Sequence, residues 1–194
     1  MISGIVLKYL KGLQESLSTV SNKKSEKLIE DLLKANRIFV FGAGRSGLVG
    51  KAFAMRLMHL DKQVHFIGET TTPAIEDHDV IFFVSGSGNT LSVVNMLKAA
   101  KSNGRKIKIL GISSEEKGCL YQNGDNVILI NTPQQETSGD YLTMQILGSE
   151  RKVAPLGTNF ESSALVYLDS LIVLMMVRLG KDEADMKKKH ANIE

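Results

Sequence analysis

The chain has 194 residues, 43% of them hydrophobic and 23% charged, which is ordinary for a soluble globular domain with a sizeable core. Its net charge of +3 is too small to require a nucleic-acid partner, although it suits an anionic ligand. The single cysteine, Cys119, excludes an intrachain disulfide, so we expect a reducing, cytoplasmic compartment.

Two helices are predicted before the first strand. Apolar residues recur at intervals of three and four over 2–17, which is typical of an amphipathic helix. Lys8 and Lys11 interrupt this stretch, so it does not have the apolar core of a signal peptide. A second helix is expected from Asn22 or Ser25 onward.

Strand-like and helix-like segments then alternate. Short β-rich runs, some of them continuously apolar, are found at 38–41, 63–67, 79–84, 107–112 and 126–130. Helical patterns separate several of these runs, mainly from Ser46 to about Leu60 and from Thr90 to Ser102. This alternation predicts βαβ units and a parallel sheet covered on both faces, with ligands bound beyond the carboxyl ends of the strands.

The final third is predicted to be helical. A long helix follows Pro155 and reaches Leu179, with Gly180 as its stop. Its apolar stretch, 164–177, is shorter than the ~20 residues that span a bilayer, so we expect a buried helix. A short charged terminal helix follows, and its lysine run is expected to be a solvated face.

A glycine-rich loop, Gly42-Ala43-Gly44-Arg45-Ser46-Gly47, follows the first strand and opens a helix. Its glycines allow a sharp turn, and a helix N-terminus presents N–H groups to an anion. The same pattern is the dinucleotide fingerprint, and Glu69 lies 69 − 47 = 22 residues beyond Gly47, where an acidic residue would bind ribose. This loop alone is therefore compatible with a nicotinamide site, a phosphate site or a turn without a ligand.

A second loop, Ser85-Gly86-Ser87-Gly88-Asn89-Thr90, follows the strand at 79–84. Hydroxyl groups at a helix N-terminus favour a terminal phosphomonoester, and a dinucleotide fold has no need of this loop. The alternative is a helix cap at Ser87 or Thr90 with a flexible turn. Two such loops at neighbouring strand ends predict a single anion pocket.

These motifs together resemble the sugar isomerase (SIS) domain family and, within it, the 6-phospho-3-hexuloisomerases. The matching segments are GAGRSG followed by AMRLMHL, VHFIGETTTP, SGSGNT, APLGTNFE and the terminal HANIE. The resemblance implies a three-layer αβα sandwich around a five-stranded parallel sheet, similar to flavodoxin. It also implies a single SIS domain over 1–194, with a helical extension at 1–36, a core at 37–180 and a helical tail at 181–194.

The resemblance further implies interconversion of D-arabino-hex-3-ulose 6-phosphate and D-fructose 6-phosphate, a step of formaldehyde fixation by the ribulose monophosphate pathway. It implies no metal or organic cofactor, no nucleic-acid or membrane partner, and a homotetramer with active sites near the subunit interfaces. The phosphate would be held by Ser85, Ser87 and Thr90. Gly44, Arg45 and Ser46 of the first loop would add contacts.

Moving a carbonyl between C2 and C3 requires a base that carries a proton between the two carbons through a cis-enediol(ate). By resemblance to other SIS sugar isomerases, this base is expected to be Glu161, in the first turn of the long helix. The alternative is structural, because a glutamate there complements the helix dipole and completes a capping box with Thr158.

Three further positions are candidates for site residues. His190 is expected to move protons between oxygens, unless it is only an exposed terminal histidine. The resemblance to the family implies that such a histidine can reach the site from a neighbouring subunit. His59 lies too far along its helix to serve the first loop, unless another subunit contributes it. Glu69 and Thr72 are candidates for binding sugar hydroxyls.

Two other functions fit parts of the pattern. A sugar-phosphate sensor without catalysis would keep the serine loop but would not need Glu161 or His190. A nicotinamide-dependent oxidoreductase would use the first loop and Glu69.

Overall fold

A five-stranded parallel sheet forms the centre of the protein. The computed structural model describes residues 2–132, 158–190 and 192. The strands are ordered β2-β1-β3-β4-β5, and every neighbouring pair is parallel, as expected. They are β1 (Ile38–Gly42), β2 (Val64–Phe66), β3 (Val80–Val84), β4 (Lys108–Ser113) and β5 (Asn126–Leu129).

Helices cover both faces of this sheet and complete the αβα sandwich. They are α1 (Ile2–Ser18), α2 (Asn22–Lys34), α3 (Gly44–His59), α4 (Leu91–Ser102), α5 (Cys119–Asn123), α6 (Thr158–Leu179) and α7 (Glu183–Lys188). Residues of α2, α3 and α6 share one core cluster with the sheet, whereas α4 and α5 contribute to a second cluster. The three-layer α/β architecture predicted from the sequence is confirmed.

Alternation along the strands explains why β1 and β3 have no polar side chain. Successive residues of a strand point to opposite faces, so Phe39 packs with the α4 side and Val40 with the α3 side. All five residues of β3 are buried. A strand covered on both faces has no position for a polar side chain, which gives the continuous apolar runs seen in the sequence.

The strand register places the two predicted loops side by side. Gly42 at the end of β1 pairs with Val84 at the end of β3, and Val84 pairs with Ile112 of β4. The segments that follow β1 and β3 therefore leave the sheet at the same edge. Helix α3 begins at Gly44, two residues before the predicted start, and the short helix α5 was not predicted.

Helix α6 is long and apolar enough to cross a membrane by length and composition. Core helices of soluble proteins meet the same criterion, and α6 buries one side against the sheet and its neighbouring helices. The side of α6 that faces the sheet is buried, as expected from the sequence. The predicted lead into the helix at 155–157 lies outside the described residues.

Candidate functional site

The first glycine-rich loop is shaped by two different requirements for glycine. Gly44 has a φ of +56°, a left-handed conformation that residues with a Cβ adopt rarely. A Cβ on Gly47 would lie 2.6 Å from the carbonyl oxygen of Gly42, so only glycine allows α3 to start so close to β1. Ala43 at the N-cap provides no side-chain acceptor, so it leaves the first N–H groups of α3 without a side-chain cap.

The three hydroxyl residues of the second loop have different environments. Ser85 is 4% exposed, and its Oγ accepts a hydrogen bond from Gly88 N at 3.2 Å, so it holds the turn together. Ser87 is exposed, and its Oγ accepts from Asn89 N at 3.2 Å. Thr90 is the exposed N-cap of α4, yet its side chain makes no capping hydrogen bond. Ser87 and Thr90 are thus the more accessible hydroxyls.

Hydrogen bonds to the end of β4, the start of α5 and the segment between them hold the second loop in place. The carbonyl of Gly86 accepts hydrogen bonds from Ser113 Oγ at 3.0 Å and from Ser114 N at 2.9 Å. Asn89 Oδ1 accepts from Cys119 N at 2.8 Å. These bonds hold the loop in one conformation, as a preformed anion site requires.

The start of α6 meets both loops. Glu161 Oε2 accepts a hydrogen bond from Arg45 Nε of the first loop at 3.1 Å. A Cβ on Gly86 of the second loop would lie 3.1 Å from the ring of Phe160, the residue before Glu161. The start of α6 therefore contacts both predicted loops beyond the carboxyl ends of β1 and β3: Glu161 binds the first loop, and Phe160 packs against the second.

A small cleft of about 150 Å³ opens beside this ion pair. It is lined by Arg45, Leu48, Val49, Glu161, Ser162 and Leu165. The side chain of Glu161 is only 13% exposed, whereas that of Arg45 is 60% exposed. The carboxylate is thus shielded by apolar side chains while a cation stays accessible, which suits a base that acts on an anionic substrate.

Glu69 and Thr72 lie after β2 and are engaged locally. Thr72 Oγ1 lies 2.9 Å from the carbonyl oxygen of Phe66 and 2.8 Å from that of Glu69. Glu69 Oε1 pairs with Lys51 Nζ of α3 at 3.1 Å, and both side chains are about half exposed. The described contacts tie Thr72 to the turn after β2 and Glu69 to α3, and they do not bring either residue to Glu161.

His190 lies at the other end of α3 within the same chain. Its ring centroid is 5.5 Å from that of His59, the last residue of α3. Arg45 and His59 are 59 − 45 = 14 residues apart, which is roughly 21 Å along a helix. The structure therefore separates His190 from the Glu161 of its own chain.

His59 is a buried histidine with an unusual environment. It is 2% exposed, and its Nδ1 has no hydrogen-bond partner among the described residues. Burial lowers the pKa of His59, and the charges of Arg56 and His190 lower this pKa further.

The described residues hold no group of three or more histidine, cysteine, aspartate or glutamate side chains suited to a metal ion.

Several site residues were missed in the sequence. Leu48 follows Arg45 by three residues, and Leu165 follows Glu161 by four, so each pair lies on one face of its helix. This spacing was a usable signal for the lining of the cleft. Ser162 and Lys51 had no comparable signal, because their roles depend on contacts between distant segments.

Comparisons with known proteins identify the family of this chain. The SIS domain model matches residues 31–147. The chain is 39% identical to a 3-hexulose-6-phosphate isomerase of Methanocaldococcus jannaschii over 170 residues, covering 88% of this chain and 84% of that protein. It is 34% identical to the Bacillus subtilis 3-hexulose-6-phosphate isomerase over 190 residues, covering 97% of each.

A solved structure supports the same assignment. It is a hypothetical protein from Methanococcus jannaschii, described as having an inferred molecular function of 3-hexulose-6-phosphate isomerase. It is 36% identical to this chain, covers 98% of each, and superposes with a TM-score of 0.77. The resemblance expected from the sequence motifs is thereby confirmed, and the chain belongs to the SIS domain family, with relatives named as 3-hexulose-6-phosphate isomerases.

Proposed function

We propose that this protein interconverts D-arabino-hex-3-ulose 6-phosphate and D-fructose 6-phosphate through a cis-enediol(ate). The observation that carries this proposal is the largely enclosed carboxylate of Glu161, paired with Arg45 beside two loops suited to phosphate. The names of the similar proteins support the substrate, because they specify the 3-hexulose 6-phosphate isomerase reaction.

In this proposal the phosphate binds at the starts of α3 and α4. Ser85, Ser87 and Thr90 donate their hydroxyl protons to phosphate oxygens, and Ser85 Oγ also accepts from Gly88 N, which supports the loop. Gly44, Arg45 and Ser46 contribute N–H groups and one positive charge from the first loop. Glu69 and Thr72 remain candidates for the sugar hydroxyls, with Lys51 close to Glu69.

Glu161 carries one proton between two carbons. Starting from fructose 6-phosphate, its carboxylate takes the proton from C3, and the electron pair of that C–H bond forms the C2–C3 double bond of the enediolate. The carbonyl oxygen on C2 gains a proton, and the hydroxyl on C3 loses one. The carboxyl proton of Glu161 exchanges with solvent while the enediolate is bound, and Glu161 then protonates C2, which leaves the carbonyl at C3. No oxidant or metal ion is required.

The proton that moves between the two oxygens is assigned to His190 of another copy of the chain. Within one chain His190 is near His59, far along α3 from Glu161. This assignment requires an oligomer, and we propose a homotetramer with the active sites near its interfaces; His59 is a second candidate for a contribution across an interface.

The cellular setting follows from the same reaction. We propose a cytoplasmic enzyme of the ribulose monophosphate pathway that works without a metal or organic cofactor. We also propose that 1–194 acts as one SIS domain, with 1–36 as a helical extension, 37–180 as the core and 181–194 as the tail.

The test is isomerisation of each hexulose phosphate by the purified chain, with EDTA present and absent. We expect the same equilibrium mixture from either side, and the same rate with EDTA. A rate that EDTA abolishes contradicts the metal-free mechanism. Thermal stabilisation by fructose 6-phosphate without any interconversion supports the alternative, a sugar-phosphate sensor.

A further inference from the structure

Helix α1 contributes one side chain to the edge of the candidate site. Tyr9 lies on α1, far from α6 in sequence, yet its hydroxyl donates a hydrogen bond to the carbonyl oxygen of Thr158 at 3.0 Å. The same hydroxyl makes a short hydrogen bond with Ser162 Oγ. Thr158 and Ser162 lie on either side of Glu161 in the first two turns of α6, so Tyr9 bridges the backbone and side chain that flank the proposed base.

The protons of this cluster can be assigned from its chemistry. A phenol hydroxyl has one proton, and a backbone carbonyl has none to give. Because Tyr9 donates its proton to Thr158 O, the bond between the two hydroxyl groups is donated by Ser162. Ser162 Oγ then has no proton left to donate to a ligand, and its two lone pairs can act only as acceptors.

Ser162 also lines the cleft, next to Arg45 and Glu161. An acceptor at this place complements a hydroxyl group of a sugar. We propose that Tyr9 is a positioning residue that fixes Ser162 as the acceptor for one hydroxyl of the bound sugar phosphate. This inference rests on the proposed function, and it adds a residue of the N-terminal helix to the specificity of the site.

Tyr167 offers a matched control for the hydroxyl of Tyr9. Its hydroxyl donates to Ser25 Oγ at 2.8 Å and so also joins α6 to an N-terminal helix, α2. Tyr167 is buried and does not line the cleft. A merely structural role for Tyr9 would therefore give the same kinetic result in Tyr9→Phe and Tyr167→Phe.

The experiment measures KM and kcat for fructose 6-phosphate in Tyr9→Phe, Ser162→Ala, their double variant and Tyr167→Phe. We expect Tyr9→Phe and Ser162→Ala each to raise KM roughly fivefold, the loss of one hydrogen bond. The double variant should be no worse than either single variant, because both changes remove the same interaction. Tyr167→Phe should leave KM unchanged while lowering the unfolding temperature.

An unchanged KM in Tyr9→Phe, or effects that multiply in the double variant, would overturn the proposal. If Tyr9→Phe fails to fold, Ser162→Ala and Ser162→Thr replace it: equal KM values in the two variants would overturn the role of the hydroxyl. If the wild-type chain has no isomerase activity, the proposed function fails, and the Kd of fructose 6-phosphate replaces KM in the same comparison. If fructose 6-phosphate does not bind at millimolar concentration, both the proposed function and the role of Tyr9 are overturned.

Discussion

The two edges of the sheet use polar residues differently. The amino edge is the side of the sheet on which the parallel strands begin. There Asp79, just before β3, is 1% exposed and accepts hydrogen bonds from Arg37 Nη2 at 2.6 Å and from Glu76 N at 2.7 Å. At the carboxyl edge, Arg45 keeps 60% of its side chain exposed, and Ser87 and Thr90 are exposed too. The amino edge satisfies its charges internally and holds the strands together, whereas the carboxyl edge leaves polar groups accessible to a ligand.

The largest expected effect is at the carboxyl edge. Glu161→Gln keeps the size of the side chain and one oxygen that can accept from Arg45 Nε, but it removes the base, so kcat should fall roughly 10²- to 10⁴-fold. Circular dichroism and urea unfolding should match the wild type. Glu26→Gln is the control, because Glu26 pairs with Arg178 near the far end of α6. Equal kcat values in the two variants would contradict the assignment of the base.

The opposite result is expected at the amino edge. Asp79→Asn leaves the mostly buried guanidinium of Arg37 without its buried anionic partner, which should lower the free energy of unfolding by about 3 kcal/mol. The kcat of the folded protein should not change. Glu76→Gln is the control, because Glu76 is 68% exposed and its pair with Arg37 should contribute less than about 1 kcal/mol. Urea titrations of both variants test this, and a small loss in Asp79→Asn would remove the contrast between the edges.

A smaller effect is expected for the hydroxyls of the second loop. Ser87→Ala and Thr90→Val should each weaken binding of fructose 6-phosphate about tenfold, the loss of one hydrogen bond to a charged group. Inhibition by inorganic phosphate should weaken in parallel. Ser102→Ala, at the other end of α4, serves as the control. If phosphate inhibition stayed unchanged, these hydroxyls would not be phosphate ligands.

The smallest effect concerns pH and the buried histidine at the far end of α3. Burial lowers the pKa of His59, with Arg56 and His190 adding to the effect, so below about pH 6.5 the unfolded chain binds a proton that the folded chain does not. The stability from neutral His59 is complete above that pH and is lost as pH falls toward the folded-state pKa. His59→Leu should therefore flatten the decline of the unfolding temperature between pH 7 and about pH 5.

A matched histidine separates this effect from the general response to acid. His78 is exposed and has a φ of +67°, which asparagine tolerates, so His78→Asn should keep the wild-type decline. A wild-type decline in His59→Leu as well would show that His59 does not contribute to acid sensitivity.

The fold was predictable from local patterns, and the two loops were predictable from their glycines. The apolar runs of β1 and β3 indicate strands that are covered on both faces. Because such strands are parallel, they end at the same edge of the sheet, and the loops that follow them lie side by side. Gly44 is favoured by a left-handed backbone angle that residues with a Cβ adopt rarely, and Gly47 is required by a close contact with Gly42 that leaves no room for a Cβ.

The assembly of the site could not be derived from local patterns, because it depends on packing between distant segments. Arg45 and Glu161 meet only when α6 packs beside α3, and Tyr9 reaches Ser162 only when α1 packs on α6. The role of Ser85 was also hidden, since a serine in a turn can bind a ligand or its own backbone. For Glu161 itself, the motif resemblance was needed to choose it among the acidic residues.

Exchange of carbon-bound hydrogen with solvent tests the central claim most directly. Wild-type protein and Glu161→Gln are incubated with fructose 6-phosphate in D₂O, and deuterium at C3 is followed by NMR. We predict that the wild type introduces deuterium at C3 and that the exchange rate falls at least about a hundredfold in Glu161→Gln. Exchange at C3 that is equally fast in the variant, or absent in the wild type, would contradict the account.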